Sequence, residues 1–443
     1  MIKGHSIKNV LVISHKYRND YIRFIYWAVV LILIFLQYIP LIAQSQTTRY
    51  DIKKFSGIEP KKINDKRQIA GSIGVFAARW EDDEVIKYPG LSSDYSRAEC
   101  INNLGEMAGW SIDSSGSKHA VVFRNDTSTH LLSVPTNRPN GANGINDFSD
   151  VVGYYDPCDT CRPRDRQVHA AIWRGGTLHN LGTIEDADCE ASDVNNWGLV
   201  VGTASEGSTF ISRAFMTTGA GLTPLGALGS GWSRAYDVNV NGMIVGASGE
   251  TNQISRAVIL NPGVQNIQTL PGNSSIARAV NNADQVVGEI QTPAGWRGFI
   301  WENGAMQLLD SLVHPDSGWV IERAVDINDL GDILALGKKN NIASYVILIS
   351  GLTITRPAFN DKWMAGEKDT IKWKGGKENQ YLQIEYSADS GKTFNIINSI
   401  PNADTGLYVW DIPTDILSKK CMIRIFDKAD TTIADTSDVF KIN

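Results

Sequence analysis

The stretch SRAYDVNVNGMIVGASG, residues 233–249, is the unit that this chain repeats. It reads as a strand ending in Asp-Val-Asn, a short turn closed by Gly242, and a second apolar strand that reaches Gly246. Seven copies occur, and the Asn that follows Ile or Val in each is Asn64, Asn102, Asn146, Asn195, Asn239, Asn281 and Asn328. A small residue lies seven positions after each Asn, at Gly71, Gly109, Gly153, Gly202, Gly246, Gly288 and Ala335.

The length of the repeat indicates the fold. Its period is roughly 44 residues, within the range of propeller blades. A third strand with Ala or Gly followed by a bulky residue, and then a looser fourth strand, complete each unit, and four short strands are the composition of a blade. We predict an all-β protein with a seven-bladed β-propeller over residues 48–352 and a β-sandwich of immunoglobulin or fibronectin type III class over residues 353–443.

The repeated residues have structural explanations. Asn tolerates a left-handed backbone and bonds its own main chain, which suits the turn between the first two strands. The small residue is expected to let neighbouring sheets approach near the axis, and the bulky residue of the third strand to fill the wider gap outside. None of these positions is a candidate catalyst, and we predict neither a cofactor nor a metal site.

The N-terminal segment indicates export. Residues 1–23 are basic, residues 25–36 are continuously apolar, and the small residues that follow are typical of a signal-peptide exit. Residues 1–44 are therefore interpreted as a signal peptide or an N-terminal membrane anchor, and the anchor would use residues 25–43. Both interpretations place the rest of the chain outside the cytoplasm of a bacterium: secreted, at the cell surface or in the periplasm.

The net charge bears on the partners. Residues 1–44 contain five Lys or Arg and one Asp, so their removal changes the net charge from −6 to −10. An acidic protein lacks the basic patches that neutralise phosphates, which argues against nucleic acid as a partner.

The strand-like segment Thr48–Phe55 precedes the first full repeat. We predict that it completes the last blade, around Asp332–Ile349, because closing the ring removes an exposed sheet edge.

Unequal loops suggest a binding surface. The loops between strands two and three, and those leading to the next blade, vary in length and emerge on one face of a propeller. Aromatic residues on variable loops over a rigid scaffold suit ligand binding, although each could instead cover the edge of its own blade. The candidate residues are Tyr154, Tyr155, Trp110, Trp232, Trp296 and Trp319.

The first strand of each repeat is expected to line the central channel of the propeller and to place charged residues there. One equivalent position holds Arg97, Arg234 and Arg323, with Glu59 and Glu190 in other copies. A second position holds Asp193, Asp237 and Asp326. Such a channel could bind an anion or a sugar, but we favour mutual pairing of the charges.

Two of the five cysteines, Cys158 and Cys161, form a CxxC in the longest loop. In an exported protein a local disulfide is expected. Zinc would need two more ligands, and the spacing of the nearby His169 and Cys189 fits no common finger. The remaining cysteines are predicted to be buried thiols: Cys100, Cys189 and Cys421.

The repeats resemble the HAF repeat family of bacterial extracellular proteins over about residues 57–350. INNLGEMAG, VNNWGLVVG, and VHAAIW followed by GTLHNLGTI carry the match. Departures are Pro60, Ala335 and the missing turn Gly after Asn64, Asn146 and Asn281. The resemblance implies a secreted repeat protein without an assigned reaction, and hence no functional residues to transfer. The C-terminal region is similar to the immunoglobulin-like modules of bacterial surface proteins.

Three functions remain open. The first is an exported non-enzymatic binding or scaffold module, with a carbohydrate or surface protein held by the loop-rich face. The second is a glycan hydrolase or lyase, since glycosidases need two carboxyl groups about 5–10 Å apart. Its candidates at the channel mouth are Glu59, Glu190, Asp193 and Asp237. The third is a spacer whose C-terminal sandwich docks to the cell surface.

Overall fold

A computed structural model describes residues 49–443 apart from 93–94, 126–127, 162–165, 186, 206–210, 220, 230, 252–253, 261–264, 267–273, 359–360, 376–380, 402–405, 429–433 and 438. The interpretation of residues 1–44 as a signal peptide or anchor lies outside the described residues. Within them, no helix combines the length and the apolar character that a membrane crossing requires.

The described residues before position 353 form seven four-stranded antiparallel sheets, named A to G here. The chain begins with β1 (Tyr50–Lys54). Sheet A follows with β2 (Glu59–Ile63), β3 (Ile69–Ile73), β4 (Phe76–Glu81) and β5 (Glu84–Tyr88). Sheet B contains β6 (Ser96–Ile101), β7 (Met107–Ile112), β8 (Lys118–Phe123) and β9 (Thr129–Leu131). Sheet C contains β10 (Asn140–Ile145), β11 (Val151–Tyr155), β12 (His169–Arg174) and β13 (Thr177–Gly182).

The next three sheets repeat the same order. Sheet D contains β14 (Asp188–Val194), β15 (Val200–Ser205), β16 (Ser212–Thr217) and β17 (Thr223–Pro224). Sheet E contains β18 (Trp232–Val238), β19 (Ile244–Thr251), β20 (Ile254–Ile259) and β21 (Gln265–Asn266). Sheet F contains β22 (Ser275–Val280), β23 (Val286–Thr292), β24 (Gly295–Glu302) and β25 (Ala305–Leu308), and the short 3-10 helices Leu309–Ser311 and Pro315–Ser317 follow it.

Sheet G joins the two ends of this region. It contains β26 (Trp319–Ile327), β27 (Ile333–Lys339) and β28 (Ile342–Ser350), and its fourth strand is β1. β1 runs antiparallel to β28, with Tyr50 opposite Ser350 and Lys54 opposite Val346. This is the closure predicted from the sequence, and it covers the edge of β28.

Side chains of the repeat asparagines connect all seven sheets. Each buried Asn donates its side-chain amide to the main-chain oxygen of the Asn in the next sheet, over 2.8–3.1 Å. The series starts at Asn64 in sheet A, and its last bond returns from Asn328 in sheet G to Asn64. The sheets are thus arranged around one axis as a β-propeller, with all the asparagine turns on one face, the Asn-turn face.

The turns differ from the expectation in one respect. The side-chain oxygen of each Asn accepts the main-chain N–H four residues later, over 2.8–3.0 Å. The left-handed residue, however, is three positions after the Asn, so the expected left-handed Asn was wrong. Where the turn glycine is missing, Arg67, Ser149 and Asp284 adopt φ values of 60°, 62° and 59°. A left-handed backbone conformation costs a non-glycine residue about 1–2 kcal/mol, and the hydrogen bonds of the Asn side chain help to offset this cost.

In sheets B to F the small residue of the repeat faces the alanine four positions before the Asn, next to a β-bulge in the first strand, and in sheet A Gly71 faces Pro60 instead. A Cβ on Gly246 would lie 1.9 Å from the main-chain oxygen of Arg234. The close approach is therefore between two strands of one sheet, rather than between neighbouring sheets as expected. In sheet G, Ala335 faces Ala324, and β26 has two register shifts instead of one.

Apolar side chains fill the space between neighbouring sheets. Bulky third-strand residues contribute as predicted, since Trp80, Phe123 and Trp173 are each at most 3% exposed. Between sheets A and B, the rings of Tyr88 and Phe123 lie 5.7 Å apart, edge to face. Burying aromatic rings of this size removes a large apolar area from water and stabilises the ring of sheets.

The C-terminal region forms two further sheets over a separate core. Its strands are β29 (Thr353–Arg356), β30 (Lys362–Trp363), β31 (Lys368–Lys374), β32 (Tyr381–Ser387), β33 (Asn395–Pro401), β34 (Leu407–Asp411), β35 (Ser418–Asp427), β36 (Ala434–Thr436) and β37 (Phe440–Ile442). One sheet has the order β29-β31-β34, and the other has β30-β37-β35-β32-β33 with β36 beside β35. Trp373 and Trp410 are buried as predicted, and they share the core with Trp363 and Phe440. The region is a β-sandwich.

Candidate functional site

The centre of the channel holds one lysine among three aspartates. They occupy the position two residues before the repeat Asn: Lys62 in sheet A, and Asp193, Asp237 and Asp326 in sheets D, E and G. The Nζ of Lys62 lies 2.7 Å from Oδ1 of Asp237 and 3.7 Å from Oδ1 of Asp193. The predicted pairing of channel charges is present at this level.

Each of these aspartates also accepts a hydrogen bond from the main chain of a neighbouring sheet. Asp193 accepts the main-chain N–H of Val238 over 3.3 Å, and Asp237 accepts that of Val280 over 2.7 Å. Asp326 accepts the N–H of Ile63 over 2.8 Å, across the junction of sheets G and A. The carboxylates therefore connect adjacent inner strands.

The proton affinities of this cluster are shifted together. Burial raises the pKa of Asp326 to about 7, although the charge of Lys62 opposes the rise. Burial likewise raises the pKa of Asp193 well above its ordinary value. Burial by itself would lower the pKa of Lys62, but the three surrounding aspartates outweigh it and raise that pKa. The cluster consequently favours a positively charged lysine, and Asp193 and Asp326 hold their protons more tightly than ordinary carboxyls.

A polar cavity of about 150 Å³ opens from this cluster at the Asn-turn face. Six aspartates and one lysine are among its lining residues: Asp65, Asp147, Asp193, Asp237, Asp326, Asp329 and Lys62. The cavity has more negative than positive groups, so it suits a cation better than an anion.

Residues directly after the repeat asparagines form the rim of the cavity. In most of the turns, the main-chain N–H of such a residue donates to the side chain of its counterpart in the next sheet. Asp329 donates in this way to Asp65 over 2.8 Å, and Val240 interrupts the series because its side chain has no acceptor. Burial and the charge of Asp329 raise the pKa of Asp65 to about 6. The rim is rigid and acidic.

At the other end of the channel, the predicted arginines have separate partners. Arg97 lies 3.4 Å from the carboxylate of Glu59, and Arg323 lies 2.5 Å from that of Glu289. Arg234 is exposed, lies 5.7 Å from the ring centre of Trp232, and has no carboxylate within 4.0 Å among the described residues. The structure therefore does not bring the three arginines together on one partner.

Two of the predicted aromatic residues meet at this loop-rich end. The Nζ of Lys118 lies 4.7 Å from the ring centre of Trp110 and 2.8 Å from the hydroxyl of Tyr154. Tyr95, which is 43% exposed, stacks on Trp110 with ring centres 5.9 Å apart. Burial raises the pKa of Glu190 in sheet D, and the charge of Lys118 partly opposes this rise. This cluster of Tyr95, Trp110, Lys118 and Tyr154 combines aromatic faces with a cation and a nearby carboxylate.

The remaining predicted aromatic residues lie apart from that cluster. Tyr155 is 4% exposed and packs into the core, so it is not available to a ligand. Trp232, Trp296 and Trp319 belong to sheets E, F and G. Trp319 packs on the apolar core of its own sheet, whereas Trp296 is 39% exposed.

The carboxylates proposed for glycan cleavage are mostly paired. Glu59 contacts Arg97, while Asp193 and Asp237 share Lys62. Glu190 comes from a different level of the channel, three positions before Asp193 on β14. These four residues thus offer no pair of free carboxyl groups facing one opening.

The cysteines follow the expected division. Cys158 and Cys161 form a disulfide, and Cys100, Cys189 and Cys421 are buried free thiols. Among the described residues there is no group of three or more His, Cys, Asp or Glu side chains arranged to hold a metal ion.

Exposed apolar residues on the Asn-turn face escaped the sequence reasoning. Leu104, Phe148 and Trp197 each stand two positions after a repeat Asn, in sheets B, C and D, and are 51%, 72% and 81% exposed. The sequence could have indicated them, because a large apolar residue in the middle of a tight turn is expected to be exposed to solvent. These three residues lie in short turns of constant length, whereas variable loops, the usual sign of a binding surface, lie on the opposite face.

No protein-family model matches the chain, and no curated protein matches it. Among solved structures, it is similar to the β-propeller domain of the Trilobed protease from Pyrococcus furiosus, with a TM-score of 0.45 and 8% identity over 67% of this chain and 93% of that chain. Immunoglobulin domains 1–5 of Sidekick-1 give a TM-score of 0.14 and 10% identity over 89% of this chain and 99% of that chain.

Proposed function

We propose that the chain is an exported, non-enzymatic binding protein that holds a carbohydrate on the loop-rich face. In this proposal sheets A–G are the blades of a seven-bladed propeller of HAF type, and the C-terminal sandwich is an immunoglobulin-like module that positions it at a bacterial surface. The observation that carries the proposal is the cluster of Tyr95, Trp110, Lys118 and Tyr154. Export rests on the composition of residues 1–44.

The chemistry of the cluster suits a sugar with a negative group. Aromatic rings provide flat apolar faces for the C–H side of a pyranose, and the ring hydroxyl and ammonium groups can hold its polar edge. Lys118 would pair with a carboxylate on the sugar, as in a uronic acid or a muramic acid unit. The hydrolase alternative gains no support, because three of its four candidate carboxylates already pair with cations.

Binding of the full chain to a glycan array that includes peptidoglycan fragments tests this proposal. We expect the double variant Tyr95→Ala/Tyr154→Ala to lose at least tenfold in affinity for any glycan that the wild type binds. The variant Lys118→Met, which removes the positive charge, should weaken the binding of acidic glycans more than that of neutral ones.

Trp296→Ala is the matched control, since it removes an equally exposed aromatic residue from the same face in sheet F. Loss of binding in this control together with retention in the cluster variants would move the site to another part of the face. Unchanged binding in every variant would remove the loop-rich face from consideration.

A further inference from the structure

The Asn-turn face presents an apolar arc beside an acidic cavity. Leu104, Phe148 and Trp197 occupy the same turn position in three consecutive sheets and are all more than half exposed. The corresponding residues in sheets A, E and F are Lys66, Asn241 and Ala283, and sheet G has Leu330, which is partly buried. At this turn position the large apolar side chains that are more than half exposed therefore lie on three consecutive sheets at one side of the cavity mouth, which a purely structural role of the turns would not require.

The arc is held by bonds that do not involve its own side chains. The N–H of Asn103 donates to Asp147 over 2.8 Å, and the N–H of Asp147 donates to Asn196 over 3.0 Å. The amide of Asn196 returns a bond to Asp147 over 2.9 Å. These links connect the turns of sheets B, C and D, so a ligand would meet a preorganised surface and lose little entropy in ordering it.

The negative charge of the cavity indicates which kind of partner this face can bind. Asp65, Asp147 and Asp329 surround the mouth, and Asp193, Asp237 and Asp326 lie deeper, with Lys62 as the one basic residue that lines the cavity. A lysine or arginine side chain of a partner would enter a field of the opposite sign. Anionic lipid headgroups and nucleic acid would be repelled, and so would the same face of a second copy of this chain.

We propose that the Asn-turn face docks a protein segment in which a Lys or Arg side chain, flanked by apolar residues, enters the acidic cavity while its neighbours cover Leu104, Phe148 and Trp197. A neutral sugar would leave the negative charge without a counterpart, and a free inorganic cation would leave the apolar arc exposed. Only a ligand with both features uses both parts of this surface. The chain would then join two partners, with the glycan site on the opposite face of the propeller.

Panning a random dodecapeptide phage library on the immobilised full-chain protein tests the proposal. We expect enrichment of peptides that contain a Lys or Arg between apolar residues. The strongest peptide, synthesised with a fluorophore, should bind the wild type at least tenfold more tightly in fluorescence anisotropy than the variant Leu104→Ser/Phe148→Ser/Trp197→Ser. Because these three side chains are exposed, we expect the variant to keep the melting temperature of the wild type within a few degrees.

Two further measurements separate the parts of the surface. Replacing the basic residue of the peptide by norleucine should weaken binding at least tenfold, and Asp65→Asn/Asp329→Asn should flatten its salt dependence. Tyr95→Ala on the opposite face should bind the peptide as the wild type does. No enrichment, enrichment without a basic residue, or equal binding to the triple variant would overturn the proposal, whatever the outcome of the glycan experiment.

Discussion

The side-chain amide of Asn328 donates a hydrogen bond over 3.0 Å to the main-chain oxygen of Asn64, which lies 264 positions earlier in the chain. This bond is the last of the series that passes through all seven sheets. It shows that the repeat Asn has two separate tasks. Its oxygen closes the local turn, and its amide connects that turn to the next sheet.

We expect Asn328→Ala to destabilise the propeller by about 1–3 kcal/mol, since the main-chain groups that it serves would remain buried without their partner. Urea unfolding followed by tryptophan fluorescence measures the change. Asn395→Ala, at an exposed position of the sandwich, is the control and should change stability by less than about 0.5 kcal/mol. Equal losses of unfolding free energy in both variants would show that the hydrogen bonds between the repeat asparagines contribute nothing specific to stability.

The raised pKa values of Asp326 in the channel and of Asp65 on the rim of the cavity predict a pH dependence. The pKa is about 7 for Asp326 and about 6 for Asp65, against an ordinary value of 3.8, so the folded state binds protons more tightly than the unfolded state. Their contribution is complete below pH 3.8 and is lost as pH rises through 6 and 7. The free energy of unfolding should therefore decrease between pH 5 and pH 8, as urea titrations across this range would show.

Asp326→Asn isolates one of these groups. Its side-chain oxygen can still accept the N–H of Ile63, but it no longer titrates. In this variant we expect the free energy of unfolding to decrease less between pH 5 and pH 8 than in the wild type. Relative to the wild type, the variant should therefore be more stable at the alkaline end. A pH profile parallel to that of the wild type would contradict the assignment.

Lys62→Met should destabilise the protein by about 3 kcal/mol at pH 8, because removing one partner leaves buried carboxylates without a counter-charge. The loss should be smaller at pH 5, where the aspartates accept protons. Lys61→Met is a suitable control, since the more exposed Lys61 contacts Glu99 over 3.0 Å and a pair of that kind contributes at most about 1 kcal/mol. A loss independent of pH would mean that Lys62 acts through packing alone.

Adding a methyl group at Gly246 should be costly. The new Cβ would overlap the main-chain oxygen of Arg234, 1.9 Å away, and the strands would have to separate, at a cost of about 3 kcal/mol. The reverse change in sheet G, Ala335→Gly, should cost only about 0.5–1 kcal/mol, from the greater freedom of the unfolded chain. Thermal melts of both variants compare the two, and similar losses would argue against the close contact at Gly246.

Much of the fold could be predicted because it follows from local chemistry repeated along the chain. Each Asn with its small residue specifies one strand pair, and seven copies specify seven sheets. Closure by residues 50–54 was predictable as well, since an unpaired strand next to an unpaired edge has one favourable solution. The left-handed residue was misassigned because the preference of Asn for such backbone competes with its use as a side-chain bridge.

The candidate sites were less accessible to sequence reasoning. Trp110 and Tyr154 were named in advance, but Lys118, which connects them, belongs to a strand that shows no unusual feature. Tyr155, one residue further on, is buried because successive strand residues point to opposite faces of a sheet. Leu104, Phe148 and Trp197 were not predicted as a surface, because only the order of the sheets brings these three turns side by side.

By itself the sequence determined the repeating unit, the number of its copies and the residues that shape each turn, because these depend on neighbours within about ten positions. Tertiary structure alone decided which charges meet across the channel and which apolar side chains stay in water. Lys62 reaches Asp237, 175 positions later, and Phe148 remains exposed, because both outcomes depend on the order of the sheets around the axis. A local pattern carries no information about which distant strand will lie opposite.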